Sequence, residues 1–156
     1  LRVWNSSRET WSWCPWHVWK RPCGSCSDSL LIICFILKKM YYVKKRIEVA
    51  FAHSLCLTYE SKCQRFHGHN GIVTVYCCSE ELDENGMVAD FSHISSSVKD
   101  KLDHRCLNEL FDFNPTAENI AHWICEHTPK CYKVSVQESE GNTAVYVKPG
   151  FENAAL

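Results

Sequence analysis

The chain has 156 residues, room for one domain and little more. Hydrophobic residues make up 46% and charged residues 22%, which excludes wholesale disorder, collagen and coiled coil. The formal net charge is -1, so no basic field points to nucleic acid, and the longest apolar run, residues 30–37 (LLIICFIL), falls far short of the ~20 residues a membrane helix needs.

Cysteine is abundant, eleven in all, and the odd number cannot pair completely within one chain. The apolar run is followed by Lys38-Lys39 with no small-residue cleavage site, so it does not read as a secretory signal. A reducing, cytoplasmic setting is expected, where thiols serve as metal ligands, catalysts or small core residues.

Residues 1–39 differ from the rest. They hold five of the six tryptophans and six Lys/Arg against two acids, whereas residues 40–156 hold eleven against sixteen. They show neither a period of 2 nor one of 3.6. They are read as an extension outside the domain, disordered or upstream in origin, with Met40 as the expected natural start. Cys14, His17, Cys23 and Cys26 (C-x2-H-x5-C-x2-C) have ligand types that suit zinc, but only five residues separate the two pairs. Chance in a Cys/Trp-rich stretch is the simpler reading.

From Met40 onward the elements follow in order. Ile47, Val49, Phe51 and His53 alternate with Arg46, Glu48, Ala50 and Ala52, a strand with one apolar face. Residues 54–66 form a loop long enough to be functional. Residues 67–79 (HGHNGIVTVYCCS) are a second, β-branched and aromatic strand, and residues 83–86 (DENG) a turn. Asp90 is a good N-cap for a helix with Phe91, Ile94, Val98 and Leu102 on one face. Thr116 opens a second helix with Ala117, Ile120, Ala121 and Ile124 on one side. Residues 131–137 and 143–148 are strands around a turn at 140–142, and 151–156 is a tail. The order ββααββ implies an α+β domain, a four-stranded, mainly antiparallel sheet with two helices on one face.

Three histidines draw the chemistry together. His67 and His69 are two apart on a strand and share a face. His53 ends the apolar face of the preceding strand, so three imidazoles converge if the strands are neighbours. Three neutral imidazoles with a fourth position open is a common catalytic zinc arrangement. Two surface histidines would explain H-x-H alone.

Cys63, four residues before His67, is a candidate base or nucleophile, with a small core thiol as the bland alternative. Asp103 could orient His104 for proton transfer, although neighbouring side chains often point apart. Glu138, late in a strand, is either solvated or an acceptor for the N–H edge of a guanidine-like heterocycle.

Residues 40–156 resemble the 6-pyruvoyltetrahydropterin synthase family, and within it the 6-carboxy-5,6,7,8-tetrahydropterin synthase (QueD) branch. The motifs, in the family's order, are F-A-H at 51–53, K-C-x3-H-G-H-N at 62–70, G-M-V-x-D-F at 86–91, L-D-H at 102–104, N-P-T-x-E at 114–118 and V-x-E at 136–138. The resemblance implies the tunnelling fold, zinc on His53, His67 and His69, and Cys63 as the catalytic thiol. It implies His104 with Asp103 as the proton relay, Glu138 as the pterin anchor that joins the relay, and Thr116 as a contact to the heterocycle. It further implies a pterin triphosphate substrate and a homohexamer of two trimers with pockets shared between subunits.

Three residues (Gln64, Arg65, Phe66) separate Cys63 from His67, the spacing of the queuosine-pathway enzymes, where biopterin-pathway synthases have five. The activity this implies is conversion of 7,8-dihydroneopterin triphosphate to 6-carboxytetrahydropterin with loss of acetaldehyde and triphosphate. The alternatives are triphosphate elimination without carbon–carbon cleavage, and a non-catalytic zinc or pterin-binding module, which would have no use for Cys63 or His104.

Overall fold

The computed structural model describes residues 3–5, 10–12 and 39–154. The chain divides into two units, Leu1–Lys38 and Lys39–Leu156. In the first, strands β1 (Val3–Asn5) and β2 (Thr10–Ser12) pair antiparallel with Trp4 opposite Trp11. The Cys14/His17/Cys23/Cys26 group and the 30–37 run lie outside the described residues.

The second unit is the α+β domain. Its long strands are β3 (Tyr41–His53) and β4 (His67–Ser79), antiparallel from Tyr41 opposite Ser79 to His53 opposite His67. Helix α1 (Phe91–Leu102) follows, then β5 (Arg105–Cys106), the single-turn α2 (Leu107–Leu110) and α3 (Ala117–His127). Strands β6 (Cys131–Ser139) and β7 (Asn142–Val147) complete a sheet of order β5-β3-β4-β6-β7. The expected four strands and two helices are therefore joined by β5, which runs parallel to β3, and by α2. Neither is long enough to generate a hydrophobic period.

The alternation seen in the sequence becomes burial. Ile47, Val49 and Phe51 of β3 share the core with Val73, Val75 and Cys77 of β4 and with Val134 and Val136 of β6. Ile94, Val98 and Leu102 come down from α1, and Ile120, Ala121, Ile124 and Cys125 from α3. Fully burying one such aliphatic side chain stabilises the fold by roughly 1.5–3 kcal/mol.

The two long helices, α1 and α3, start at side-chain caps. Asp90 Oδ1 accepts from the Ser92 N–H at 2.6 Å, and Thr116 Oγ1 accepts from the Asn119 N–H at 3.3 Å. The tail folds back: the Phe151 N–H bonds Lys148 O, and its ring lies 5.4 Å from that of Tyr132. Among the described residues no helix is long and apolar enough to cross a membrane.

Candidate metal centre and active site

Pairing of β3 with β4 sets His53 opposite His67 and Phe51 opposite His69. Opposite residues share a face, and this one is the helix-covered face that holds Val49 and Val73. The three imidazoles form a near-regular triangle with ring centroids 4.7, 5.1 and 4.9 Å apart. One ligand atom from each lies within 4.8 Å of the other two.

Backbone carbonyls fix the ring orientations. His53 Nδ1–H donates to Pro115 O at 2.8 Å, and His67 Nδ1–H to Arg65 O at 2.7 Å. A carbonyl can only accept, so Nδ1 carries the proton and Nε2 keeps its lone pair for the centre. Burial holds the His53 imidazole below its ordinary pKa, opposed in part by its bond to Pro115 and by the Glu138 carboxylate. It is therefore neutral at pH 7, the form that ligates metal.

Glu138 approaches from β6. The β6–β7 register slips between Gln137 and Ser139, leaving Glu138 as the extra residue of a bulge, a device that re-aims side chains. Its Oε1 lies 3.8 Å from His53 Nε2, too far for a hydrogen bond. His53 Nε2, His69 Nε2 and Glu138 Oε1 are all buried without a hydrogen-bond partner. Stranded polar atoms of this kind cost free energy unless something binds them. Three imidazole nitrogens beside one carboxylate fit a divalent transition metal.

The other predicted residues fall elsewhere. Cys63, half-buried, sits in a one-turn 3-10 helix (Lys62–Gln64) capped by Ser61, whose Oγ accepts from the Cys63 N–H at 3.2 Å. Thr116 is the cap of α3. Asp103 Oδ1 accepts from the Ala50 N–H at 2.9 Å and lies 3.2 Å from His104 Nδ1. The Ala50 N–H, foremost, and His104 hold the Asp103 carboxyl below the usual carboxylate range.

His104 is 82% exposed and has a left-handed backbone, φ 56°, a strained state for a residue with a side chain. It borders a hollow of about 450 Å³ with Ala50, Ala52, Gly68 and Asn70. Phe51 and His69 of the inward set on β3 and β4 also border it.

Sequence reasoning missed the carbonyls of Pro115 and Arg65, because a backbone acceptor leaves no residue-type signal. It also missed Asn108 and Asn114, which bind the backbone of the 54–66 loop.

A metal-type histidine triad beside the part-buried Glu138 carboxylate, on an α+β sheet of this order, is the centre of a tunnelling-fold protein. The sequence matches the family described as 6-pyruvoyl tetrahydropterin synthase over residues 42–149, and the chain belongs to that family and is a lyase.

It is 28% identical over 123 residues to 6-carboxy-5,6,7,8-tetrahydropterin synthase of Bacillus subtilis, covering 68% of this chain and 84% of that one. It is 30% identical over 112 residues to the protein of the same name from Rickettsia conorii, covering 56% of this chain and 80% of that one. In structure it is similar to Caenorhabditis elegans 6-pyruvoyl tetrahydropterin synthase, with TM-score 0.57, 26% identity, and 69% of this chain and 95% of that one covered.

Proposed function

We propose that this protein is a zinc-dependent lyase converting 7,8-dihydroneopterin triphosphate to 6-carboxy-5,6,7,8-tetrahydropterin, with release of acetaldehyde and triphosphate, in queuosine biosynthesis in the cytoplasm. The observation that carries the reading is the triad itself: three converging imidazoles, two of them with a buried, unpartnered Nε2, in a sequence that carries a cysteine four residues before H-x-H. Names of relatives support the product, and the Cys63–His67 spacing supports the branch.

His53, His67 and His69 hold the metal, and zinc there supplies Lewis-acid polarisation of the substrate's side-chain hydroxyls. Glu138 offers its unpartnered Oε1 to the N–H edge of the pterin, a charge-assisted contact that orients the ring. The Thr116 hydroxyl accepts from Asn119 as a cap and keeps its own proton to donate to the heterocycle. Cys63 takes up a proton at the substrate side chain, and His104, oriented by Asp103, returns it.

His104 is exposed on an open hollow, free to meet a second copy. This supports a homo-oligomer with shared pockets, of which a hexamer is the form the family resemblance implies. Residues 40–150 carry the activity, outside the extension at 1–39.

A second reading, triphosphate elimination without carbon–carbon cleavage, draws on the likeness to the nematode 6-pyruvoyl tetrahydropterin synthase. Metal analysis tests the site common to both. Purified protein should contain about one zinc per chain, and His67→Ala/His69→Ala should contain none, because metal affinity depends on the full ligand set. Full occupancy in the double variant would contradict the site.

A further inference from the structure

We propose that Asn108 and Asn114 are positioning residues that clamp the 54–66 loop and thereby set where the Cys63 thiol stands relative to the three histidines. The proposal rests on the reading of Cys63 as the catalytic thiol. A thirteen-residue segment between β3 and β4 with only one helical turn of its own has much conformational freedom to lose. Its backbone leaves the sheet, so its N–H and C=O groups need partners elsewhere.

Two asparagines supply them. Asn108 Nδ2 donates to Ser54 O at 2.8 Å, and its Oδ1 accepts from the Ser54 N–H at 2.8 Å. Asn114 does the same to Cys56, with both bonds at 2.9 Å. Each side-chain amide stands in for a neighbouring strand, closing a two-bond ring on a single residue and fixing its orientation.

The clamped limb is tied to the thiol. The Leu55 N–H, between the two clamps, donates to Cys63 O at 2.8 Å. Gln64 Nε2 donates to Leu57 O at 3.2 Å, and its Oε1 accepts from the Ser61 N–H at 3.1 Å.

The other end is tied to the metal site. Asn114 O accepts from the Thr116 N–H at 2.8 Å and from Asn119 Nδ2 at 2.9 Å, which stiffens the corner before α3. Pro115 O, in that corner, holds His53 Nδ1. One short segment thus grips a metal-type ligand through a carbonyl and the thiol loop through a side chain. Asparagine is required for the pairing: aspartate lacks the donor and turns a carboxylate toward Cys56 O, glutamine is a methylene too long, and alanine offers nothing.

The test compares Asn108→Ala, Asn114→Ala and Asn114→Asp with the wild type, in full-length protein carrying its metal. Asn114→Asp keeps the acceptor half of the clamp and serves if the alanine variants are insoluble. The readouts are hydrogen exchange at Leu55 and Cys56, the rate of Cys63 alkylation by iodoacetamide read on the Cys63 peptide, bound metal, and kcat and KM.

The expected result is exchange roughly tenfold faster at those amides, an altered Cys63 alkylation rate, retained metal, and unchanged KM. kcat should fall by roughly 10²-fold, the effect of about 1 Å of misplacement. Folded, metal-bound variants in which Cys63 alkylates at the wild-type rate would overturn the proposal whatever their turnover. Shifted exchange and alkylation with intact turnover would uphold the clamp and refute the catalytic reading of Cys63, which Cys63→Ala would then confirm by full activity.

Discussion

Gly71→Ala strikes the packing beneath the histidine triad. Gly71 lies two residues beyond His69 on the inward face of β4, and a Cβ there would stand 2.9 Å from Phe51 Cε1 and 3.1 Å from Gln137 O. Carbon atoms in contact prefer about 3.5–4.0 Å, so the ring must move by roughly half an ångström or more. Gln137 is held in the β4–β6 ladder opposite Ile72 and cannot retreat easily.

Phe51 is 5% exposed, and its ring centroid lies 5.6 Å from those of both His53 and His69. Any shift is therefore passed to two of the three imidazoles. Overpacking of this kind costs about 1–3 kcal/mol. At roughly 4 °C per kcal/mol for a domain of this size, the melting temperature should fall by about 4–12 °C. Disturbed support of the ligands should lower metal affinity by roughly 10–100-fold.

Thermal unfolding and chelator competition measure the two effects. Gly141→Ala, at a turn with φ 83° and no atom within 4 Å of the added Cβ, is the control. It should cost about 1–2 kcal/mol through its backbone alone and leave metal affinity unchanged. Wild-type melting and wild-type chelator competition in Gly71→Ala would refute the packing argument.

Two further predictions concern proton transfer and acid stability. Cys63→Ala should keep its metal while turnover falls by roughly 10²–10⁴, with His104→Ala alike and the double variant little worse, as steady-state kinetics and metal analysis would show. Near-normal turnover in Cys63→Ala would remove the thiol from the chemistry. The Asp103 carboxyl, held low chiefly by the Ala50 N–H, stabilises the fold fully above the unfolded carboxylate pKa of about 4, and that contribution is lost as pH falls through the lower folded value. Asp103→Asn, whose amide oxygen still accepts from Ala50, should show a shallower loss of stability below about pH 4 in denaturant titrations. An acid limb identical to the wild type would show that the Ala50 contact does not favour the ionised form.

What could be read from the sequence followed its periodicity. Ile47, Val49, Phe51 and His53 declared a buried strand face, and His67 and His69 continued that face once β3 and β4 paired. The start of β3 was missed: it begins at Tyr41, where Lys44, Lys45 and Arg46 interrupt any apolar alternation. Strand β5 is two residues long and finds its parallel partner across fifty residues of chain, which no local pattern announces.

The caps at Asp90 and Thr116 were legible because each carries a side-chain oxygen at the right place. The Asp103–His104 pair was legible as a pair, but its attachment to β3 was not. That attachment follows from the left-handed turn at His104 and from two bonds to Ala50, the His104 N–H to Ala50 O and the Ala50 N–H to Asp103. Glu138 would be solvated by type and position, and the bulge in β6 buries its Oε1 instead.

Product analysis decides whether a carbon–carbon bond is cleaved. The zinc-loaded protein is incubated with 7,8-dihydroneopterin triphosphate, and the pterin and the released aldehyde are identified by mass. The products should be 6-carboxy-5,6,7,8-tetrahydropterin and acetaldehyde in equal amount. A 6-pyruvoyl product formed with triphosphate release and no acetaldehyde would contradict the cleavage.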